Sequence, residues 1–102
     1  MSAAREDVRM SWHATALAQE DNVATLLQPV AAGETVRVKR TDGVIEVRAN
    51  EAVALCHKIA LADLKPGDAV IKYGECIGEA TAPITRGSWV HIHNVRSRRA
   101  QA

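Results

Sequence analysis

The chain has 102 residues, with 13 Lys or Arg against 12 Asp or Glu and a net charge of +1. That length supports one hydrophobic core and not two. So balanced a charge gives no global field to draw in nucleic acid or an anionic membrane surface. Apolar residues make up 47% of the chain but aromatic residues only 3%, with no Phe. The core must therefore come from Val, Ile, Leu and Ala, which favours β-branched strands in close-packed layers.

Residues 1–11 (MSAAREDVRMS) are polar and without a repeating pattern, and read as a flexible leader. WHATALA (12–18) is a first strand, with Ala14 and Ala16 on one side and His13 facing away as a surface residue. Asp21 stands where a helix cap would, ahead of NVATLLQP, so a short helical turn is expected there, ended by Pro29. Val36 and Val38 then alternate with Arg37 and Lys39, and Ile45 and Val47 with Glu46 and Arg48. Joined at Thr41-Asp42-Gly43, these runs predict a hairpin with one apolar face.

AVALCHKIAL, AVIKYG, ECIGEATAPITRG and SWVHIHN complete a series of short strands. The expected domain covers 12–94, and 95–102 reads as a basic tail carrying Arg96, Arg98 and Arg99. Cys56 and Cys76 lie among small and apolar residues and read as buried, reduced thiols. With no signal-peptide pattern and no run long enough to span a membrane, a cytoplasmic protein is expected.

One pattern recurs. VAAGETV (30–36), LKPGDAV (64–70) and ITRGSWV (84–90) each place an apolar residue, a Gly three later and a Val three after that. Each reads as a turn whose Gly supplies a backbone angle that other residues resist, feeding a strand. The fold class is mainly β, compact, with one or two short helical turns.

EDNVAT (20–25), CHKIALADLKPGDAVIKYGECIGEAT (56–81) and ITRGSWVHIHN (84–94) closely resemble the small N-terminal module of the altronate and galactarate dehydratase family. The likeness runs from Trp12 to Asn94, and HKIAL, IKYGE.IG.AT and G.WVH.HN carry it. It implies an SAF-type β-clip domain, found either ahead of a larger catalytic domain or as a separate small subunit. Altronate dehydratase and sulfolactate sulfo-lyase are of these kinds, eliminating water or sulfite from a hydroxy or sulfo acid. The family commonly has Gly before the His-Lys pair, where this chain has Cys56.

The resemblance implies a small subunit of such a lyase, inactive alone, that meets a large catalytic subunit and a small hydroxy-acid or sulfo-acid substrate. A stand-alone sugar-acid or protein-binding module is the alternative, and edge pairing into a homo-oligomer is a third reading. His91 and His93, two apart on a strand, would share a face about 6.5–7 Å apart along the chain. With His57 they form a candidate metal set for iron, manganese or zinc, held mainly by the partner subunit. His57 and His93 are equally candidates for acid-base work. Lys58, Lys72, Tyr73, Asn94, Asp21 and Asn22 are candidates for substrate contacts, Lys58 and Lys72 as point charges for a carboxylate. Bland readings stand beside these: a strand-end pair for His57-Lys58, a hairpin corner for Lys72-Tyr73-Gly74, a cap for Asp21-Asn22.

Overall fold

The computed structural model describes residues 12–97. The expected leader, and Arg98 and Arg99 of the expected tail, lie outside the described residues. Every regular element among the described residues is a strand: β1 (Ala14–Ala16), β2 (Val23–Leu26), β3 (Thr35–Arg40), β4 (Gly43–Arg48), β5 (Lys58–Ala60), β6 (Ala69–Lys72), β7 (Glu75–Ala80), β8 (Trp89–Val90) and β9 (Val95–Ser97). They form a six-stranded sheet in the order β4-β3-β1-β2-β5-β8 and a three-stranded sheet in the order β6-β7-β9. All pairings are antiparallel except β1 with β3.

The mainly-β expectation holds, and the hairpin turns at Thr41–Asp42 with Arg40 opposite Gly43. Val36, Val38 and Val47 form its buried face. Two cores result. Ala14, Leu26, Val36, Val38, Val47 and Ile59 belong to one, with Trp89 packed against it. Val23, Ala60, Val70, Ala80, Ile84 and Val90 belong to the other. Successive side chains of a strand point to opposite faces. Strand β2 therefore sends Ala24 and Leu26 into the first core and Val23 into the second, and β5 divides Ile59 and Ala60 in the same way.

Several expectations are corrected. The helical turn after Asp21 is strand β2. Four residues closed off by Pro29 are too few for a stable helix, whereas as a strand they pair with β1 on one edge and β5 on the other. His13 is buried, not on the surface, and its Nδ1 accepts a hydrogen bond from the Arg37 N–H at 2.9 Å. Cys56 and Cys76 are exposed, because one lies in a turn and the other on the open start of β7. Strand β9 lies in the segment taken as tail and pairs with β7, and Arg96 is ion-paired to Glu79 at 2.6 Å.

The three glycine turns are one structure repeated. Each starts at a bridge residue (Val30, Leu64 or Ile84), closes with an i to i+3 backbone bond, and holds its Gly at positive φ: 86° at Gly33, 93° at Gly67 and 93° at Gly87. That is the third-position angle of a type II turn, and Pro66 at the second position of Lys65–Asp68 suits it. A fourth copy, VALCHKI (53–59), escapes the glycine pattern. Val53 bridges Val30, the His57 N–H closes the turn on the Ala54 carbonyl at 3.1 Å, and Cys56 has φ 72°. The Val30 and Val53 turns bridge each other, and so do the Leu64 and Ile84 turns.

A side chain at such an angle costs about 1–2 kcal/mol that glycine avoids. Cys56→Gly is therefore expected to stabilise the chain by about 1 kcal/mol, seen as a higher urea midpoint; a lower midpoint would contradict the account. Gly87→Ala should do the opposite, because its Cβ would lie 2.1 Å from the Arg48 carbonyl oxygen, at a cost of about 3 kcal/mol.

Candidate functional site

Strand β8 stops after two residues, and the reason is Asn94. Its Oδ1 accepts a bond from the His91 N–H at 2.9 Å, its Nδ2 donates to the Trp89 carbonyl at 2.9 Å, and its own N–H donates to the His91 carbonyl at 3.1 Å. A side chain that satisfies the backbone this way competes with the strand ladder. Residues 91–94 thus form a turn and not a strand, which corrects the shared-face arrangement of His91 and His93. At the tip, Ile92 is 83% exposed.

The histidines nevertheless meet, around Trp89. The His91 ring stacks on the indole at 5.4 Å and 15°, and His93 lies 4.6 Å from it at 37°. Strand β5 brings His57: Ile59 is opposite Trp89 in the β5–β8 pairing, so the residue two earlier comes beside the indole. The His57 ring stacks on His91 at 4.5 Å, and its Nδ1 accepts a hydrogen bond from Trp89 Nε1 at 2.9 Å. An indole N–H can only donate. The bond therefore fixes the tautomer, and neutral His57 carries its proton on Nε2.

This geometry does not fit a metal held by this chain. Stacked imidazoles direct their lone pairs within near-parallel planes, not at a common point, and Nδ1 of His57 is already engaged. Among the described residues no group of three or more His, Cys, Asp or Glu side chains is placed to hold an ion.

Two clefts flank the stack. One of about 270 Å³ lies between the sheets, lined by Lys58, Ile77, His91, Ile92, Val95 and Ser97. The other, of about 400 Å³, runs between Pro29, Ala52, Ala54, His57 and Trp89 and is mostly apolar. Burial, reinforced by the neighbouring Lys72 charge, lowers the Lys58 pKa from the usual lysine range. Desolvation lowers that of His91, with smaller contributions from His57, Lys58 and His93.

Asp21, Asn22 and Asn94 are engaged in the framework. Asp21 accepts bonds from the Gly74 N–H at 2.8 Å and the Ala18 N–H at 3.3 Å. Asn22 bonds the Ala69 carbonyl at 2.9 Å and the Ile71 N–H at 2.8 Å, stitching the end of β2 to β6. Lys72 and Tyr73 lie at the β6–β7 corner, apart from the histidines, with Lys72 Nζ 5.3 Å from the Tyr73 ring. Tyr73 takes φ 53°, and its hydroxyl lies 3.3 Å from that of Thr15. Sequence reasoning missed Trp89 as the residue around which the histidines gather. The helical reading of NVATLLQP also hid a cross-strand pair. As strands, β1 and β2 set Thr15 opposite Thr25.

Residues 12–98 match the altronate/galactarate dehydratase SAF domain. Altronate dehydratase of Escherichia coli is 44% identical over 77 residues, which are 76% of this chain and 15% of that protein. Altronate dehydratase of Bacillus subtilis is 30% identical over 79 residues, again 15% of its length. The (2R)-sulfolactate sulfo-lyase subunit alpha of Chromohalobacter salexigens is 33% identical over 76 residues, covering 72% of this chain and 81% of that subunit. The chain thus spans a small fraction of the dehydratases and most of the subunit.

Because the folded state disfavours protonated His91, the unfolded chain binds more protons as pH falls. The contribution of His91 to stability is therefore full above the ordinary histidine pKa of about 6.5 and declines as pH drops below it. NMR titration should place His91 below that value, and Lys58→Met should move it up. An unmoved His91 in that variant would contradict the electrostatic coupling. Trp89→Phe should also release the His57 tautomer, read from imidazole nitrogen shifts; an unchanged tautomer would overturn the indole's role.

Proposed function

The chain belongs to the altronate/galactarate dehydratase SAF-domain family, and we propose that within it the chain acts as the small subunit of a cytoplasmic hydroxy-acid or sulfo-acid lyase. Its histidine–tryptophan face would close the active site of a large catalytic subunit. The observation that carries this reading is the stack of His57, His91 and His93 around one indole, fixed by Trp89 and Asn94. The coverage of most of a sulfo-lyase alpha subunit favours a small subunit over a free-standing binding module.

In such an elimination, a base removes the proton beside the substrate carboxylate, and its electron pair becomes the new C=C bond. The bond to the leaving group breaks, giving water after protonation from a hydroxy acid, or sulfite from a sulfo acid. Charge builds on the carboxylate as the proton leaves, so donors and cations aimed there lower the barrier. His57, with its proton held on Nε2, suits donation to an anionic oxygen or to a leaving hydroxyl. His93, whose ring lies against Trp89, supplies the second acid-base group. Lys58 adds positive charge from the neighbouring cleft. A divalent metal (iron, manganese or zinc) would be held by the large subunit and supply Lewis acidity to the substrate's carboxylate.

The apolar surroundings, with Ile92 at the tip and Leu55 52% exposed in the Cys56 turn, fit a partner that excludes water from the face. Co-expressed with its large subunit, the chain should give a stable complex active on altronate or sulfolactate. His57→Ala or His93→Ala should then lower turnover by about 10²-fold without loss of assembly. Full activity in both variants would refute the assignment.

A further inference from the structure

The short strand β5 carries one ionisable side chain, and the fold sets it between the two sheets. Lys58 is opposite Thr25 of β2 on one side and Val90 of β8 on the other. Its half-buried side chain lines the cleft of about 270 Å³ together with Ile77, Ile92, Val95, His91 and Ser97. Three of those five neighbours are aliphatic, so much of the wall can neither accept a hydrogen bond nor solvate a charge. Among the described residues Lys58 forms no ion pair within 4.0 Å.

An ammonium group is stabilised by water or by a carboxylate, and this one has lost part of the first without gaining the second. The charge that bears on it is a second ammonium. Burial first, and then the repulsion of Lys72, lower the Lys58 pKa from the usual lysine range. An apolar pocket and a neighbouring cation are what turn a lysine into a nucleophile near neutral pH. The same cleft holds a group that can move protons. His91 lines it, and desolvation, followed by His57, Lys58 and His93, favours the neutral imidazole there.

We infer that Lys58 is a nucleophilic amine that captures a small aliphatic aldehyde or ketone as an imine in the cleft between the sheets. The Nζ lone pair attacks the carbonyl carbon, a C–N bond forms, and the π pair of the carbonyl moves onto oxygen. His91 takes a proton from the nitrogen and returns it to that oxygen, giving a carbinolamine. The hydroxyl then leaves as water with one borrowed proton while the nitrogen pair forms C=N. The iminium returns that proton on becoming the neutral imine. The sum is amine plus carbonyl giving imine plus water, with nothing oxidised or reduced. Ile77, Ile92 and Val95 cover the carbon chain of the bound compound. This reaction is separate from the elimination proposed above; it needs no large subunit and no carboxylate on the carbonyl compound.

The test is reductive labelling of the full isolated chain with propanal and cyanoborohydride, with mass mapping of Lys39, Lys58, Lys65 and Lys72. Lys58 is expected to label first, at a rate that saturates with propanal, while Lys65 labels slowly and in proportion to its concentration. Lys58→Arg, which keeps the cation, should lose the fast phase altogether. Ile92 is 83% exposed, so its replacement leaves the cores intact. Ile92→Glu should slow the fast phase about tenfold, because a carboxylate in the cleft holds the ammonium form. His91→Gln should slow it about 10²-fold by removing the proton carrier. Equal labelling of Lys58 and Lys65, or a fast phase that survives Lys58→Arg or ignores Ile92→Glu, would overturn the inference. That result would leave the histidine-face reading standing, and inert His57 and His93 variants in the complex would leave the amine site standing.

Discussion

The pairing of β5 with β8 is the constraint on which the site depends. Only two residues of each strand are in register, Lys58 with Val90 and Ile59 with Trp89, yet that short ladder decides the position of every ring. It anchors Trp89 on the first core through Ile59 and swings His57 against the indole. It also leaves Lys58 on the opposite face, toward the cleft between the sheets. Side-chain alternation along β5 thus separates a hydrogen-bonding aromatic surface from a cationic one within two residues. The indole N–H then converts position into chemistry, because a donor-only group on Nδ1 settles which nitrogen of His57 holds the proton.

The fourfold turn supplies the frame. Two mutually bridged pairs of turns, Val30 with Val53 and Leu64 with Ile84, fix where β3, β5, β6 and β8 begin. Three use glycine and one uses Cys56 at φ 72°. The residue after that cysteine is His57, so the exceptional copy is the one that delivers a site side chain. Stored backbone strain beside functional groups is a recurring feature of proteins, and here it occurs again at Tyr73. Both positions are exposed corners feeding directly into residues of the two surfaces described above.

Much of this was legible in the sequence where a signal is local. Asp42-Gly43 announced its hairpin, and the alternation of Val36, Val38 and Val47 announced the buried face. The spacing of Gly33, Gly67 and Gly87 announced three of the four turns. What escaped depended on distant partners. Val23–Leu26 carries an Asx residue ahead of it and an apolar run, as a helix start does, and only pairing with β1 and β5 makes it a strand. His93 cannot be removed from a strand face without knowing that Asn94 folds back on Trp89. His13 reads as a surface residue until the Arg37 N–H is found pointing at it. The gathering of three histidines was foreseen through family likeness. Their stacking on a tryptophan, which replaces convergence on a metal, is a tertiary outcome.

The central claim is that the Trp89 face of this chain is the surface that meets a larger catalytic chain. The most direct test is backbone deuterium uptake of the chain, measured free and in complex with the co-expressed large subunit. Slowed exchange confined to 54–60 and 88–94, with the Thr41–Gly43 hairpin tip unaffected, is the result this account predicts. Protection of the hairpin tip with 88–94 unchanged would place the partner elsewhere and contradict it.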